Sequence, residues 1–408
     1  MERVVITGMG AVTPLGLDVP ATWDAAKSGR SGLGPLTQRV LPGVASPSVC
    51  EVKGFDPETV VSKKEVRRQD RYQHLALAAA VEAMTQARLT LTDENRHRTG
   101  VVISACSGGY QTFETELLAV QAKGGRACSP LAIAKIMPNG ASAVVAMHFG
   151  AMGPSYAVCS ACSSSTDALG QALLLMRAGM CDVVIAGGAE ASLHSVTVAS
   201  FGKMGLLSER STATPSPFCR QRDGLVIGEG AAVFVLETLA HAQKRGAAIQ
   251  GELAGYGATS DAHHITSPTS DGSGAARAMQ AAMRDARVNA DEVDYINAHG
   301  TGTIVNDAVE TRAVKLALGS HAASTPLSST KGMTGHLMGA AGALEALFTL
   351  MAIRTCILPP TINHVERDPE CDLDYVPNVA REQRVAVGLS NSFGFGGHNS
   401  VLVLKAYA

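Results

Sequence analysis

Short runs of apolar, mostly β-branched residues alternate along the chain with segments whose apolar positions recur at helical spacing. The pattern predicts strands in "RVVITGMG", "RTGVVISAC", "CDVVIAGGAE", "GAAVFVLETL", "DEVDYINAHG" and "QRVAVGLSNSFGFGG". It predicts helices in "LALAAAVEAMTQA", "TDALGQALLLMRAG", "GAARAMQAAMRDA" and the run from Gly335 to Ala352. Because strands and helices alternate, we expect an α/β fold with a mostly parallel sheet covered by helices on both faces.

The order of these elements recurs in the second part of the chain. From Val102 in one strand to Gly187 in a later one is 85 residues, and from Ile296 to Gly388 is 92 residues. In each case a small-residue helix lies between the strands. The similar spacing predicts a duplicated unit, and since no Pro/Ser-rich linker separates the copies, we expect them to pack tightly. Ligands would bind where strand ends of both copies converge.

Composition narrows the functional class. The chain has 408 residues, more than a single hydrophobic core usually organises. Hydrophobic residues make up 46% and charged residues 17%, which is typical of a well-packed α/β protein. Aromatic residues are only 4% and the formal net charge is -2 without a long basic block. These values argue against a nucleic-acid-binding protein.

The amino-terminal stretch "MERVVITGMGAVTPLG" is read as a first core strand and a glycine turn, because a signal peptide needs a longer apolar region. No segment approaches the roughly 18 continuous apolar residues of a membrane span. We therefore expect a cytoplasmic protein without a membrane partner, in which the nine cysteines are mostly reduced thiols.

The stretch "AVCSACSSSTDALG" carries two cysteines at CxxC spacing. Strand alternation predicts that Cys159 is a buried strand residue and that Cys162 stands at the turn before a helix. The serines and Thr166 that follow are predicted to cap this helix. A thiol at a helix amino terminus meets the positive end of the helix dipole, which favours the thiolate of a nucleophile. The alternatives are a buried inert cysteine and a redox or zinc-binding CxxC.

Two histidines beside glycines add to this picture. His299 lies in "INAHGTGTIVND" at the end of a predicted strand, and His336 lies in "SSTKGMTGHLMGAAGALE" where a loop enters a helix. Glycines there let a substrate approach the backbone closely. One cysteine and two histidines suit acyl transfer to sulfur, followed by stabilisation of an oxyanion or enolate. This chemistry needs no metal.

The motifs "SACSSS", "NAHGTGT", "SSTKGMTGHLMGAAGALE" and "NSFGFGGHN", in this order, closely resemble those of the β-ketoacyl-acyl-carrier-protein synthases. "GGAEA", "RDGLVIGEGAAVFVLE", "TSDAHHITSP" and "LPPTIN" also resemble this family, so the similarity covers essentially the whole chain. The resemblance implies a thiolase-like α/β fold, with two duplicated βαβαβαββ halves packed as a five-layered αβαβα sandwich. Residues 1–251 would form the half with the nucleophilic cysteine, and residues 252–408 the half with the histidines.

The resemblance also implies roles in a decarboxylative Claisen condensation of malonyl-acyl carrier protein with an enzyme-bound acyl group. Cys162 would hold the acyl group as a thioester, and the backbone N–H groups of Cys162 and Phe395 would form the oxyanion hole. His299 and His336 would donate hydrogen bonds to the malonyl thioester oxygen. Lys331 would be a buried lysine paired with Glu345.

Other residues would serve substrate delivery. Thr301, Thr303 and Thr266 resemble the family's phosphopantetheine-contacting threonines. Phe395, between glycines in "FGFGG", matches its gating phenylalanine. The substrates travel on the phosphopantetheine of acyl carrier protein, so no separate cofactor is expected. Phe113 aligns with a residue that lines the acyl pocket near the dimer interface, where a phenyl ring would favour short or rigid primers.

The stretch "SKKEVRRQDRYQ" is the predicted docking surface for the acidic acyl carrier protein. Lys63, Lys64, Arg67 and Arg68 would share one helix face, because residues three or four apart are neighbours on a helix. A local basic patch steers an acidic partner into a transient, salt-sensitive complex. The alternative is an ordinary solvated helix face.

The resemblance implies a homodimer, or a heterodimer with a chain-length-factor-like subunit. "HGTGTIVND" resembles type II polyketide ketosynthases, whereas "TKGMTGHLMGAAGALE" resembles the fatty-acid enzymes, so both pathways stay open. A thiolase is disfavoured because "GFGGHN" lacks a second catalytic cysteine. A non-catalytic, non-elongating or partner-dependent subunit is a further alternative, although such inactive partners lack the nucleophile that this chain retains.

Overall fold

The computed structural model describes residues 2–44 and 48–407. Within them the strands are β1 (Val4–Val12), β2 (Leu33–Pro35), β3 (Ser48–Cys50), β4 (Thr99–Ser104), β5 (Ser155–Tyr156), β6 (Val183–Glu190), β7 (Gly230–Thr238), β8 (Gly251–Ser260), β9 (Tyr295–Asn297), β10 (Leu327–Ser328), β11 (Ile357–Leu358), β12 (Arg381–Glu382), β13 (Val387–Gly394) and β14 (His398–Lys405). The α-helices are α1 (Val19–Lys27), α2 (Lys63–Val66), α3 (Arg71–Ala87), α4 (Tyr110–Lys123), α5 (Ala132–Ile136), α6 (Gly140–Phe149), α7 (Ser164–Arg177), α8 (Ser195–Lys203), α9 (Leu239–Lys244), α10 (Ser273–Ala286), α11 (Ile304–Leu318), α12 (Lys331–Thr334) and α13 (Ala341–Thr355).

Ten of these strands form one mixed sheet in the order β10-β9-β13-β14-β8-β1-β7-β6-β4-β5. The pairs β4–β5, β4–β6, β9–β10 and β9–β13 are parallel. The pairs made by β1, β7, β8 and β14 are antiparallel. The prediction of a mostly parallel sheet is therefore wrong. Strands buried on both faces have similar continuous apolar patterns whichever way they run, so the pattern does not report direction.

The sheet contains the same arrangement twice. The order β5-β4-β6-β7-β1 on one side is mirrored by β10-β9-β13-β14-β8 on the other, and the two sets meet where β1 pairs with β8. In each set a helix packs on the first strand (α3 on β1, α10 on β8), and the last two strands are antiparallel (β6 and β7, β13 and β14). The residues whose spacing suggested a repeat pair accordingly: Val102 lies beside Ala186, and Ile296 lies beside Leu389.

Two central helices join the halves. Helix α13 is buried at every position from Ala341 to Ile353, as expected of a helix that is apolar all round. It contacts α7 and strands of both halves, among them β13 and β7, while α7 contacts β6, β4, β8 and β14. Helix α3 packs on β1 and β7, and α10 packs on β8 and β14. The amino-terminal turns of α7 and α13 therefore meet at the seam between the halves.

Two differences from the predicted elements bear on the site. The predicted helix from Gly335 to Ala352 begins only at Ala341, because Gly335 ends α12 with φ +66° and a 3-10 turn follows. His336 therefore lies in a loop. The predicted strands do not include β8, whose pattern is interrupted by Gly255 and Gly257. A side chain at either glycine would clash with the backbone of α10.

Within residues 2–44 and 48–407, no helix is long and apolar enough to cross a membrane.

Candidate active site

One cavity of about 280 Å³ at the seam brings most of the predicted site residues together. Its lining includes Cys162 from the first half and, from the second half, both predicted histidines, the gating phenylalanine and the three predicted pantetheine threonines: His299, His336, Phe395, Thr266, Thr301 and Thr303. These residues are up to 233 positions apart in the chain, and only the packing of the two halves makes them neighbours.

Cys162 occupies a tight elbow before α7. The residues Ala161–Ser163 form a 3-10 turn, and Ala161 has φ +52°, a left-handed conformation that a non-glycine residue adopts at a cost. Strand β13 approaches so closely that a Cβ at Gly394 would lie 2.9 Å from the Ser160 carbonyl oxygen. The backbone N–H of Phe395 faces the Cys162 sulfur and acts to lower the pKa of the thiol.

The serines after Cys162 do not cap α7, contrary to the prediction. Ser163 at the N-cap position makes no side-chain capping hydrogen bond. The Ser164 hydroxyl accepts from the backbone N–H of Ser160 at 3.0 Å, and the Ser165 hydroxyl accepts from the N–H of Ala343 at 2.9 Å. Because of the 3-10 turn, these hydroxyls do not bond to the first N–H groups of α7. The Ser164 hydrogen bond stabilises the elbow instead, and the Ser165 hydrogen bond connects the first half to α13.

The pKa of Cys162 is raised to about 11, whereas the helix terminus predicted a lowered value. Burial is the main cause, and the charge of Lys331 and the Phe395 N–H oppose it only in part. Desolvation of the thiolate therefore outweighs the helix terminus. With this pKa the thiol is neutral at neutral pH.

Cys159 is exposed, so the prediction of a buried strand residue is wrong. Strand β5 ends at Tyr156, and the following residues turn toward the elbow rather than continuing into the sheet. The Cys159 thiol lies 3.7 Å from the Cys106 carbonyl oxygen. Cys159 and Cys162 are both free thiols in different surroundings, one exposed and one buried.

The two histidine rings lie edge to face, with centroids 5.4 Å apart. The Nδ1 atom of His336 accepts the backbone N–H of Met338 at 3.2 Å, which leaves the proton on Nε2. The Nδ1 atom of His299 lies 3.3 Å from the Lys331 ammonium, which is a donor only, so its proton is also on Nε2. Burial and the charge of Lys331 hold both imidazole pKa values well below the usual range. Both rings are therefore neutral N–H donors.

Lys331 and Glu345 form a buried ion pair behind His299. The Lys331 ammonium also donates to the His299 carbonyl oxygen at 2.6 Å. Burial raises the pKa of Glu345 to about 7, although the Lys331 charge acts against it. Removing one member would leave a buried group without its partner, which is costly. The pair thus fixes the position of His299.

Glu310 is a buried support of the histidine loop that sequence reasoning missed. Its two carboxyl oxygens accept the backbone N–H groups of His299 and Gly300 at 2.9 and 2.7 Å, and the Asn391 side chain donates to it at 3.2 Å. Burial raises its pKa to about 7. Glu310 lies within a helix, where an acid is usually solvent-exposed, so its sequence position carried no signal.

Phe201 is a second residue that the sequence did not indicate. Its ring stacks on Phe395 with centroids 5.8 Å apart, and both line the cavity. Gly396 and Gly397 follow with φ of +83° and +73°, and the Gly396 N–H donates to the Ile265 carbonyl oxygen at 2.7 Å. The phenylalanine thus sits on a glycine loop that is tied to the loop after β8.

Phe113 does not line the cavity described for this chain. It lies on α4, is 51% exposed, and contacts Tyr110 with ring centroids 6.4 Å apart. Its predicted place in an acyl pocket stays a prediction.

The predicted docking residues Lys63, Lys64, Arg67 and Arg68 are exposed. The expectation that they share one helix face is wrong, because α2 ends at Val66. Arg67 and Arg68 therefore follow the helix, and Arg68 pairs with Glu65 at 3.0 Å. Their role toward a carrier protein stays a prediction.

Comparison with known proteins shows the family to which this chain is similar. Residues 1–242 match the family model of the beta-ketoacyl synthase N-terminal domain, and residues 250–365 match that of the C-terminal domain. The chain is 44% identical to a 3-oxoacyl-[acyl-carrier-protein] synthase 2 of Synechocystis sp. over 409 residues, covering 100% of this chain and 98% of the relative. It is 43% identical to the enzyme of the same name from Staphylococcus aureus, covering 100% of this chain and 99% of that one.

Two solved structures of similar fold are described as ketosynthases. The ishigamide ketosynthase/chain length factor superposes with a TM-score of 0.94 at 35% identity, covering both chains fully. A type II polyketide ketosynthase, described with its acyl carrier protein and bound to a hexaketide, superposes with a TM-score of 0.91 at 35% identity, again over both full chains.

Proposed function

This chain belongs to the β-ketoacyl synthase family, and we propose that it is an elongating 3-oxoacyl-acyl-carrier-protein synthase, an acyltransferase of thiolase-like α/β fold. The observation that carries the proposal is the convergence of Cys162, His299 and His336 on one cavity at the seam of the two halves. A buried thiol beside two neutral N–H donors suits thioester exchange followed by stabilisation of an enolate.

In the first step, the Cys162 sulfur attacks the thioester carbonyl of an acyl-carrier protein. The new bond is the acyl–sulfur bond on Cys162, the carrier's pantetheine sulfur leaves, and the Cys162 proton goes to that leaving sulfur. The N–H groups of Cys162 and Phe395 would hold the tetrahedral oxyanion. Because the resting thiol is neutral, proton loss accompanies the attack.

In the second step, a malonyl thioester enters and its carbonyl oxygen accepts hydrogen bonds from Nε2 of His299 and His336. Loss of CO2 leaves an enolate whose charge develops on that oxygen, where both donors are already placed. The enolate carbon attacks the acyl carbonyl, the bond from that carbon to the Cys162 sulfur breaks, and the released thiolate takes up a proton from water. Lys331 and Glu345 would hold His299 in its donating tautomer.

Delivery of both substrates by acyl carrier protein follows from this chemistry, and no separate cofactor is required. Thr301 and Thr303, with hydroxyls 2.9 Å apart on the cavity wall, would contact phosphopantetheine together with Thr266. Phe395 would gate entry of the malonyl group. The carrier would dock on the basic patch of Lys63, Lys64, Arg67 and Arg68. A solved relative described with its own carrier protein supports this partner.

We propose that the protein is a homodimer. Among the described residues, β5 lies at one end of the sheet and pairs only with β4, and such edges invite pairing with another chain. Nearby helices expose apolar side chains, which include Phe113, Leu117, Ile133, Met137 and Met147. A heterodimer is the second candidate, because two solved relatives are described with a chain length factor.

Phe113 on this face would shorten the acyl pocket, and Phe113→Gly should then improve elongation of long saturated primers.

The finer architecture belongs to the same proposal. Residues 1–251 and 252–408 would be the two halves, packed as five layers with α7 and α13 in the middle. The contacts of these two helices with strands of both halves support this arrangement. The enzyme would act in the cytoplasm, in fatty-acid or type II polyketide elongation.

The test is acyl transfer to the purified protein, measured by intact mass after incubation with a panel of acyl carrier proteins and malonyl carrier. Cys162→Ala should abolish the acyl adduct, and the matched variant Cys159→Ser should keep it. Normal acylation of Cys162→Ala would end the proposal. A Cys159–Cys162 disulfide without any acyl adduct would instead favour a redox protein. Product masses from the carrier panel decide between the pathways.

A further inference from the structure

Asp167 is a buried carboxylate for which the proposed mechanism has no use. It lies in the first turn of α7, five residues after Cys162, and is 7% exposed. None of the ion pairs formed within residues 2–44 and 48–407 involves it. A buried charge without a cation needs several hydrogen-bond donors, so its partners indicate what it holds in place.

The partners of Asp167 are hydroxyl groups from both halves of the molecule. From the first half, the Ser160 hydroxyl donates to Oδ2, and the Ser163 hydroxyl, whose proton goes to the Ser160 carbonyl oxygen, lies 3.5 Å from the same carboxylate oxygen. From the second half, Tyr256 on β8 donates to Oδ1 at 2.7 Å, and Ser400 on β14 donates to the same oxygen. The amino terminus of α7 also favours a negative charge in its first turn.

Ser160 is the residue that anchors the elbow of Cys162. Its carbonyl oxygen accepts both the N–H and the hydroxyl of Ser163, at 3.2 and 2.7 Å, and its own N–H donates to the Ser164 hydroxyl. The next residue, Ala161, has φ +52°. A strained conformation persists only where the surrounding structure over-determines it. Asp167 restrains the Ser160 side chain by accepting the hydrogen bond of its hydroxyl.

Tyr256 and Ser400 fix the position of the Asp167 carboxylate. The Tyr256 ring lies against α7 so closely that a Cβ at Gly170 would be 2.5 Å from it. Burial and the neighbouring Asp167 charge raise the pKa of the Tyr256 hydroxyl, so it stays protonated and donates. Strands β8 and β14 are paired along their length, which fixes the two hydroxyls relative to each other.

We propose that Asp167 is a positioning residue that sets the orientation of Cys162 by clamping Ser160, with Tyr256 and Ser400 of the second half holding its carboxylate. The inference rests on the proposed function for its acyl-transfer readout. Asp167 lies on the Ser160 side of the elbow and contacts neither His299 nor His336. Its loss should therefore slow transfer of an acyl group to Cys162 and leave decarboxylation by the histidine pair nearly unchanged.

The experiment compares Asp167→Asn and Tyr256→Phe with wild-type protein in three rates. These are acylation of Cys162 from acyl carrier protein, CO2 release from malonyl carrier without an acyl donor, and alkylation of Cys162 by iodoacetamide. Asp167→Asn should lower acylation and alkylation about tenfold and change CO2 release by less than twofold. Tyr256→Phe keeps the ring and removes one donor, so it should lower the same two rates about threefold.

Tyr375→Phe is the matched control, because it removes a buried hydroxyl that shares a 2.8 Å hydrogen bond with Thr311, and neither residue lines the cavity. It should leave all three rates unchanged. Equal falls in acylation and CO2 release would show a general loss of folded enzyme and overturn the proposal, as would unchanged acylation in both variants. If wild-type protein accepts no acyl group, the proposed function fails, and the alkylation rates still decide the role of Asp167.

Discussion

Replacement of His336 by alanine tests the geometry of the histidine pair most directly. The Met338 N–H donates to Nδ1 of His336, so the ring proton is on Nε2 and is available to a substrate. Within the described residues this buried nitrogen has no hydrogen-bond partner. Loss of one preorganised donor to a developing oxyanion typically costs about 3–4 kcal/mol, or roughly 10²–10³-fold in rate. His299 remains as the second donor, so the loss should stay within this range.

The assay separates the two half-reactions. Release of CO2 from malonyl carrier should fall about 10²–10³-fold in His336→Ala. Acylation of Cys162, followed by intact mass, should stay within about threefold, because the proposed oxyanion hole consists of the Cys162 and Phe395 N–H groups and not of His336. His336→Gln keeps an N–H donor and should recover part of the loss. His321→Ala serves as the control, since this half-buried ring bonds to the Val293 carbonyl outside the cavity. Decarboxylation by His336→Ala within threefold of wild type would refute the assigned role.

Three further predictions follow from the same structure. Because burial raises the pKa of Cys162 to about 11, its alkylation by iodoacetamide should rise about tenfold per pH unit from pH 7 to 9. A plateau below pH 8 would contradict the raised value. Gly342→Ala should lower the free energy of unfolding in urea by about 1–3 kcal/mol, since its Cβ would overlap Thr166 and lie 2.8 Å from the Ser392 hydroxyl; Gly125→Ala, in open space, should not. Lys64→Glu with Arg67→Glu should raise KM for acyl carrier protein at low salt, with kcat kept, and the difference should shrink in high salt. An unchanged KM at low salt would remove the patch from the docking surface.

The strands and helices that carry chemistry were predictable because their signals are local. Strand β4 is a continuous apolar run, and α3 and α10 show apolar residues at helical spacing within a single segment. Cys162 and His299 could be singled out because each stands where a strand or turn meets small residues. The resemblance to a family then assigned roles to residues whose neighbours in the chain already form a motif.

Glu310 and Asp167 were not predictable, because each is buried by the fold and takes part of its hydrogen bonds from residues remote in sequence. Glu310 binds the Asn391 side chain 81 positions away, and Asp167 binds Ser400 233 positions away. An isolated acid in a helix looks like a surface residue until the fold buries it and supplies its donors. Phe201 was not predictable for the same reason. It stacks on Phe395, which follows β13 and becomes its neighbour only through tertiary packing.

The sequence by itself determined which atoms are available for chemistry: a thiol at a turn, imidazoles beside glycines, and the order of strands and helices that carries them. Tertiary structure alone decided the protonation states of these groups. The direction of the Cys162 pKa shift depends on burial of the thiol in the folded protein, and the proton position on each histidine depends on Met338 and Lys331. Local sequence reports backbone preference and periodicity, whereas desolvation and hydrogen-bond partners arise only when distant segments close around a group.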